Sequence, residues 1–346
     1  MDTDTRPAFA AEDQGIVQAL QIDGRAPFRR IAEVLGVSDQ TVARRYARLR
    51  GAGLLRVLGL TNPLACEETP WLVRVRCTPD AAASIADALA RREDTSWVSL
   101  SSGGTEITCT VREAPRPRDE DHLLLRRLPR TPRVTDVQAH ALLEVFFGQD
   151  QAQIVKTGPL TQDQKRALVS EDAPPGTREE FGRWSRRQVS GLGRTLDPAE
   201  RRLAAVLARD GRASIGELAE ATGWSPTTVR RRLGELRRAG VLYFDLELHL
   251  DLVNQGMRAG LWVDVEPTSL ARAGAALGAQ AEVMFAGAVT GEHNVYANVS
   301  CRDSQALYRY LTESVTAIPG IQRIVTAPVH RTIKGPGPFL RPMGGS

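Results

Sequence analysis

Two arginine pairs, Arg44-Arg45 and Arg231-Arg232, sit in the same local frame: Thr-Val-x-Arg-Arg before them and Ala-Gly after them (Thr41 to Gly53, Thr228 to Gly240). Such residues could read nucleic acid. A guanidinium forks two donors onto the O6/N7 edge of guanine, a glutamine pairs the N6/N7 edge of adenine, and arginines off that row reach phosphates. At about 100° per residue, Gln40, Arg44 and Arg48 fall opposite an apolar row of Val42, Tyr46 and Leu49. In the second segment Thr227 and Arg231 fall opposite Val229 and Leu233. Arg45, Arg230 and Arg232 lie on the flanks, where phosphates would be. Ser38, Thr41, Ser225 and Thr228, at the helix starts, complete the candidate DNA-contacting set. A basic helix face is often merely solvated. Recurrence of the pair at one place in two segments weighs toward DNA contact.

The recurrence extends well beyond the arginines. Asp23-Gly24-Arg25-Ala26 returns as Asp210-Gly211-Arg212-Ala213, 187 positions on, and the same offset pairs Ala32-Glu33 with Ala219-Glu220 and Gly36 with Gly223. Further along, Pro79 pairs with Pro267, Gly103 with Gly291 and His140 with His330, at offsets that drift by a few residues as loops change length. The chain is an internal duplication, and each copy holds two units.

The first unit of each copy reads as three short helices. In the second copy, Asp197-Pro198-Ala199-Glu200 is an N-cap, a proline at N1 and a glutamate at N3. Ser214 and Glu217 form a second capping box, and Ser225-Pro226 opens a third helix carrying Val229, Leu233 and Leu236. Helices joined by a short glycine-containing turn make a helix-turn-helix. The second unit reads as β-α-β-β-α-β: strand 71–77, a helix from Pro79, strands 96–101 and 105–111, a helix with Leu124, Leu125 and Leu128, and a strand from Val134 to Phe147. The second copy repeats it as strand 259–265, helix 267–277, strands 283–289 and 293–300, helix 303–314 and strand 321–333. That order is ferredoxin-like. The turns between the middle strands, Ser102-Gly103-Gly104-Thr105-Glu106 and Thr290-Gly291-Glu292-His293-Asn294, are small enough for backbone amides to approach a carboxylate. A plain hairpin turn explains them equally well.

The fold class is therefore α+β. The expected domains are a first reader (1–62), a first sensing unit (68–148), a linker (149–194), a second reader (195–252), a second sensing unit (256–334) and a loose tail (335–346). The linker holds Ala173-Pro174-Pro175-Gly176, with one helix expected near Gln162–Val169; if flexible, its 46 residues would span roughly 40 Å.

Of 346 residues, 42% are hydrophobic and 25% charged, with a net charge of +4, as in globular domains. No apolar run is long enough for a membrane span. The N-terminus lacks a signal-peptide pattern, so a cytoplasmic location is expected. Cys66, Cys77, Cys109 and Cys301 form no C-x-x-C pair and read as buried free thiols. No nucleophile triad, phosphate loop or metal-ligand cluster is present in the pattern; no cofactor, metal or catalytic residue is expected.

On Arg-Arg-x-x-x-Leu-x-x-x-Gly (Arg44 to Gly53, Arg231 to Gly240) and Thr-Gly-x-x-Asn (Thr290 to Asn294), the chain resembles two fused copies of the Lrp/AsnC (feast/famine) transcription regulators. The resemblance implies two winged or helix-turn-helix readers and two ferredoxin-like (RAM-type) units that associate through their sheets. It implies double-stranded DNA as a partner, a homo-oligomer, and an amino acid or related effector near the glycine turn. Gly291, His293 and Asn294 match the effector turn, with Thr290 beside them; Ser102, Gly103, Thr105 and Glu106 match it less well. The family usually has an acidic residue where Asn294 stands. One chain with two readers could form a pseudo-dimer by itself and read an asymmetric site, since Gln40 corresponds to Thr227 and Arg48 to Glu235. Sirohaem decarboxylases resemble the same two-part architecture. They would need histidines, for which the equivalent pair His140 and His330 are candidates. A strand histidine is more often structural.

Overall fold

A computed structural model describes residues 11–66, 68–113, 123, 127–148, 153–173, 194–248 and 256–338. The first copy runs α1 (Ala11–Ile22), α2 (Phe28–Leu35), α3 (Asp39–Gly51), β1 (Leu55–Thr61), β2 (Thr69–Cys77), α4 (Pro79–Ala90), β3 (Thr95–Ser101), β4 (Glu106–Glu113) and β5 (Val134–Phe147). Two short helices follow, α5 (Ile154–Thr157) and α6 (Gln162–Leu168). The second copy gives α7 (Pro198–Leu207), α8 (Ile215–Thr222), α9 (Pro226–Arg238), β6 (Leu242–Leu248), β7 (Met257–Val265), α10 (Leu270–Ala279), β8 (Val283–Val289), β9 (Val295–Cys301), α11 (Ser304–Arg309) and β10 (Ile321–Thr332). A turn of 3-10 helix precedes α10 at Pro267–Ser269, and a π-helical turn extends α11 over Tyr310–Val315. In the first copy, Leu124 and Leu125 of the expected second helix lie outside the described residues.

The readers form where their caps place them. The Asp197 carboxylate accepts from the amides of Ala199 and Glu200, while Glu200 reaches back to the Asp197 amide. Ser214 and Glu217 do the same for α8. Helices α2 and α8 both stop at a glycine in the left-handed region, Gly36 (φ 68°) and Gly223 (φ 75°), which a side chain adopts only with strain. After the third helix each reader sends out one strand, and β1 and β6 pair antiparallel, Leu55 opposite Leu248 and Thr61 opposite Leu242. One hydrophobic core, with Ile16, Leu20 and Leu49 from the first copy and Leu203, Leu207 and Leu236 from the second, runs through both readers.

Each sensing unit has the ferredoxin-like strand order: β3-β4-β2-β5 in the first copy and β8-β9-β7-β10 in the second. The two sheets do not stay separate. β5 pairs with β8 and β10 pairs with β3, closing all eight strands into one barrel. Alternation along the strands divides the core accordingly. Val73, Val75, Ile107 and Cys109 face outward onto helix α4, and Leu261, Val263, Val295 and Val299 face outward onto the second copy's helices. Their neighbours face the lumen, where Leu72, Leu142, Trp262 and Tyr296 pack together. The buried Arg74–Glu106 ion pair (2.7 Å) shares that lumen, its guanidinium 5.4 Å from the Trp262 ring.

The segment expected to be a linker is docked where it is described, and the helix expected near Gln162–Val169 is α6. Ile154, Leu160 and Leu168 enter the core of the readers. The Gln18 amide donates to the Val155 carbonyl and accepts from the Leu160 amide, and Gln164 donates to the Val34 carbonyl. Asp172 pairs with Arg238 of the second reader at 2.6 Å. The apolar residues of this stretch carry the packing, and random-coil reach does not apply to it. The tail is likewise docked at its start: the Gly335 carbonyl accepts from the Trp97 amide. Cys77, Cys109 and Cys301 are buried free thiols, and Cys66 is half-buried. No described helix is long and apolar enough to cross a membrane.

Candidate nucleic-acid interface and effector turns

Helices α3 and α9 are the third helices of the two readers. Ser38 and Ser225 cap them, each accepting from the amide three residues on (Thr41, 3.1 Å; Thr228, 3.2 Å) with its hydroxyl 2.9 Å from that threonine's. These four residues hold the helix ends. Beyond the caps, Gln40, Arg44 and Arg48 in α3 and Thr227, Arg230 and Arg231 in α9 are exposed. Val42, Tyr46 and Leu49, and Val229, Leu233 and Leu236, are buried opposite them.

The arginines are not equally available. Arg45 (3.1 Å) and Arg48 (2.6 Å) both grip the carboxylate of Asp13, itself 1% exposed. The second copy has Glu200 where the first has Asp13, again 1% exposed, with Arg232 at 3.9 Å and Arg194 bonded to it. Arg45 and Arg232 thus tie the third helix to the first, and their flank position serves that contact. Arg231 is tethered to Glu235 at 2.6 Å, one turn away on the surface. Among the described residues, Arg44 and Arg230 have no carboxylate in ion-pair range. Sequence reasoning missed Asp13 and Glu200; the signal was an acid at one position of both copies, a few residues into the first helix.

The repeated Asp-Gly-Arg-Ala segment joins the readers reciprocally. Arg25 donates to the carbonyls of Gly211 (2.7 Å) and Ala213 (3.0 Å), and Arg212 donates to those of Gly24 (2.7 Å) and Ala26 (3.1 Å). Arg212 also stacks over Phe28 at 4.4 Å. The aspartates complete the exchange: Asp23 pairs with Arg237 (2.8 Å), and Asp210 with Arg50 (2.7 Å). Burial, with Arg212 and Arg237 close by, lowers the pKa of Arg25, while Asp23 and Asp210 act against that shift. The motif that betrays the duplication is thus the clamp that fixes one recognition helix relative to the other. Its identity in both copies was the available clue.

The glycine turns are cross-linked in the same way. His140 of the first copy donates from Nδ1 to the Thr290 carbonyl (2.6 Å), and the Thr290 hydroxyl accepts from the Ala141 amide. Its counterpart His330 accepts from the Gly103 amide through Nε2 (2.7 Å). Gly291, at φ 110°, has no room for a side chain: a Cβ would lie 2.4 Å from His140. Burial holds the His140 pKa below the usual imidazole value, favouring the neutral ring. His293 is buried against Asp264 (2.6 Å), and the Asn294 amide bonds both backbone groups of Val265. Glu106 is taken by Arg74, and Thr105 donates to the Ser102 carbonyl. Gly103, Thr105 and Thr290 remain exposed. The structure thus brings each turn against the opposite copy's histidine, while His293, Asn294 and Glu106 spend their polar atoms inside the protein. Among the described residues no cluster of His, Cys, Asp and Glu could hold a metal.

Comparison with known proteins agrees with this geometry. Residues 12–50 match the AsnC-type helix-turn-helix domain, residues 196–243 a winged helix-turn-helix DNA-binding domain, and residues 258–339 the Lrp/AsnC ligand binding domain. An uncharacterised HTH-type transcriptional regulator of Pyrococcus abyssi is 31% identical over 133 residues, which cover 38% of this chain and 84% of that one. The chain belongs to the Lrp/AsnC family. Another member, the regulatory protein AsnC of Escherichia coli K12, is 26% identical over 40% of this chain and 96% of its own. Relatives of that length correspond to one copy of this Lrp/AsnC duplication. Across the whole chain, the fold is similar to that of the sirohaem decarboxylase NirDL, with a TM-score of 0.60, 13% identity, and coverage of 94% of this chain and 92% of that one. At that identity the likeness speaks to the fold alone.

Proposed function

We propose that this chain is a sequence-specific, DNA-binding transcription regulator in which one polypeptide supplies both readers of an operator. The supporting observation is the pair of capped, arginine-bearing helices mounted on one core and held by the Arg25/Arg212 exchange. Arg44 and Gln40 on one side, and Arg231, Thr227 and Arg230 on the other, present different chemistries. The operator is therefore asymmetric, with half-sites about one helical turn, roughly 34–36 Å, apart. Family membership supports a small effector such as an amino acid, for which the exposed parts of the two glycine turns are the candidate site. It also supports a cytoplasmic location and a homo-oligomer. Selection of genomic fragments by the purified chain, with and without an amino-acid pool, tests the reading. Enrichment of a two-part motif supports it, and failure to enrich any motif refutes it.

The chain acts by binding and not by catalysis. The two histidines that an enzymatic reading on the decarboxylase fold would recruit, His140 and His330, each give a ring nitrogen to a turn. Titration with an iron tetrapyrrole checks this: no Soret shift is expected, and a saturable shift would favour the enzyme.

A further inference from the structure

At the end facing the readers, the barrel lumen widens into a cavity of about 220 Å³. Leu72, Leu142 and Phe285 line it from the barrel, and Leu60 and Leu246 from the paired reader strands β1 and β6. None of the glycine-turn residues reaches it. For scale, an apolar cavity of about 150 Å³ holds benzene. This one accommodates an aromatic ring plus a short chain ending in a polar group.

The polar part of the wall carries two arginines, of which Arg112 has the Glu68 carboxylate close by and Arg258 does not. Arg258, on β7, projects into the cavity and donates to the Thr332 hydroxyl at 3.0 Å. No carboxylate among the described residues lies within ion-pair range of it. Arg112 adds a second guanidinium to the wall. Asp245 also borders the space, but it accepts from Gln21 and from the Leu246 amide, and burial pushes its pKa up to about 7. Its carboxylate is engaged by those two donors, and no ion pair joins it to Arg258. Burial alone lowers the Arg258 pKa. Nearby, Asn298 Oδ1 is buried without a partner. A half-buried guanidinium with no counter-charge is costly unless an anion completes it.

We propose that this cavity binds a small aryl or branched-chain carboxylate, with the carboxylate on Arg258 and the apolar body against Leu72, Leu142 and Phe285. The site is separate from the two glycine turns and does not depend on the DNA-binding reading. Its occupant touches strands of both readers as well as the barrel.

Isothermal titration of the full chain with 3-phenylpropionate tests the proposal, with 3-phenylpropan-1-ol and 3-phenylpropylamine as probes of the same shape. One saturable site per chain is expected for the carboxylate, with the alcohol at least tenfold weaker and the amine not binding. Arg258→Gln should weaken the carboxylate roughly tenfold to a hundredfold, as loss of a charge-assisted bond does, and Arg258→Lys should restore part of it. Thr110 of β4 also lines the cavity; Thr110→Phe, which fills the space but leaves the guanidinium, should abolish binding, and it also decides the matter if Arg258→Gln fails to fold. Absence of saturable binding by 3-phenylpropionate, equal binding of acid and alcohol, or full binding by Thr110→Phe would each overturn the assignment.

Discussion

Replacing Arg212 with alanine removes half of the clamp between the readers without touching either exposed helix face. The side chain donates to two carbonyls of the opposite copy, Gly24 at 2.7 Å and Ala26 at 3.1 Å. A hydrogen bond from a charged group is worth about 1.5–3 kcal/mol net. The guanidinium is only half-buried and two of its three bonds share the Ala26 carbonyl, so the low end applies once per carbonyl, and the two carbonyls contribute about 3 kcal/mol. Stacking on Phe28 at 4.4 Å adds about 0.5–1 kcal/mol. Arg212→Ala should therefore lower unfolding stability by about 3–4 kcal/mol, read as a shift of the urea midpoint with unchanged slope. Arg25→Ala should cost slightly less, because its ring partner Phe244 is farther, at 6.0 Å. The double variant should cost less than the sum, since each arginine binds the backbone flanking the other. On DNA, affinity for a two-half-site fragment should fall more than affinity for one half-site, because the clamp sets the effective concentration of the second reader. A stability change under about 0.5 kcal/mol, or equal losses on both fragments, would refute the reasoning.

Other outcomes follow from the same geometry. Glu235→Ala releases Arg231 from its 2.6 Å tether and should strengthen DNA binding, with a steeper salt dependence in a filter-binding titration, by about 0.9 in slope if one phosphate contact is gained. Ser225→Ala removes the cap of α9 and should cost about 1 kcal/mol of stability in denaturant titration; adding Ser38→Ala should cost a similar amount again. Asp245 is fully buried with its pKa raised to about 7. The folded state therefore holds a proton that the unfolded chain releases near pH 4, and stability due to this group is lost as pH rises toward and through 7. Asp245→Asn should flatten that decline, stabilising the protein at pH 8 more than at pH 5 in parallel denaturant titrations.

The local elements were legible because their signals are local. Asp197 with Glu200, Ser214 with Glu217, and Ser225 before Pro226 write three helix starts in the sequence, and all three helices begin there. Strand β5 begins at Val134 and ends at Phe147, the bounds expected from the sequence. Barrel closure was not legible, because the β5–β8 and β10–β3 pairings join residues far apart in sequence, and nothing in one copy's edge strand names its partner. Ile154 and Leu168 were hidden among prolines and charges in a stretch whose composition reads as linker, yet both are buried. The arginine faces were legible as faces. Which arginine is spent internally was not, since that depends on Asp13 and Glu200 arriving from another helix.

Footprinting of the selected operator with single-arginine variants bears most directly on the central claim. The parent chain should protect two half-sites one helical turn apart. Arg44→Ala should weaken protection of one half-site first and Arg231→Ala the other. Protection of a single half-site by the parent, or identical footprints for the two variants, would contradict the idea that one polypeptide sets two different readers side by side on the duplex.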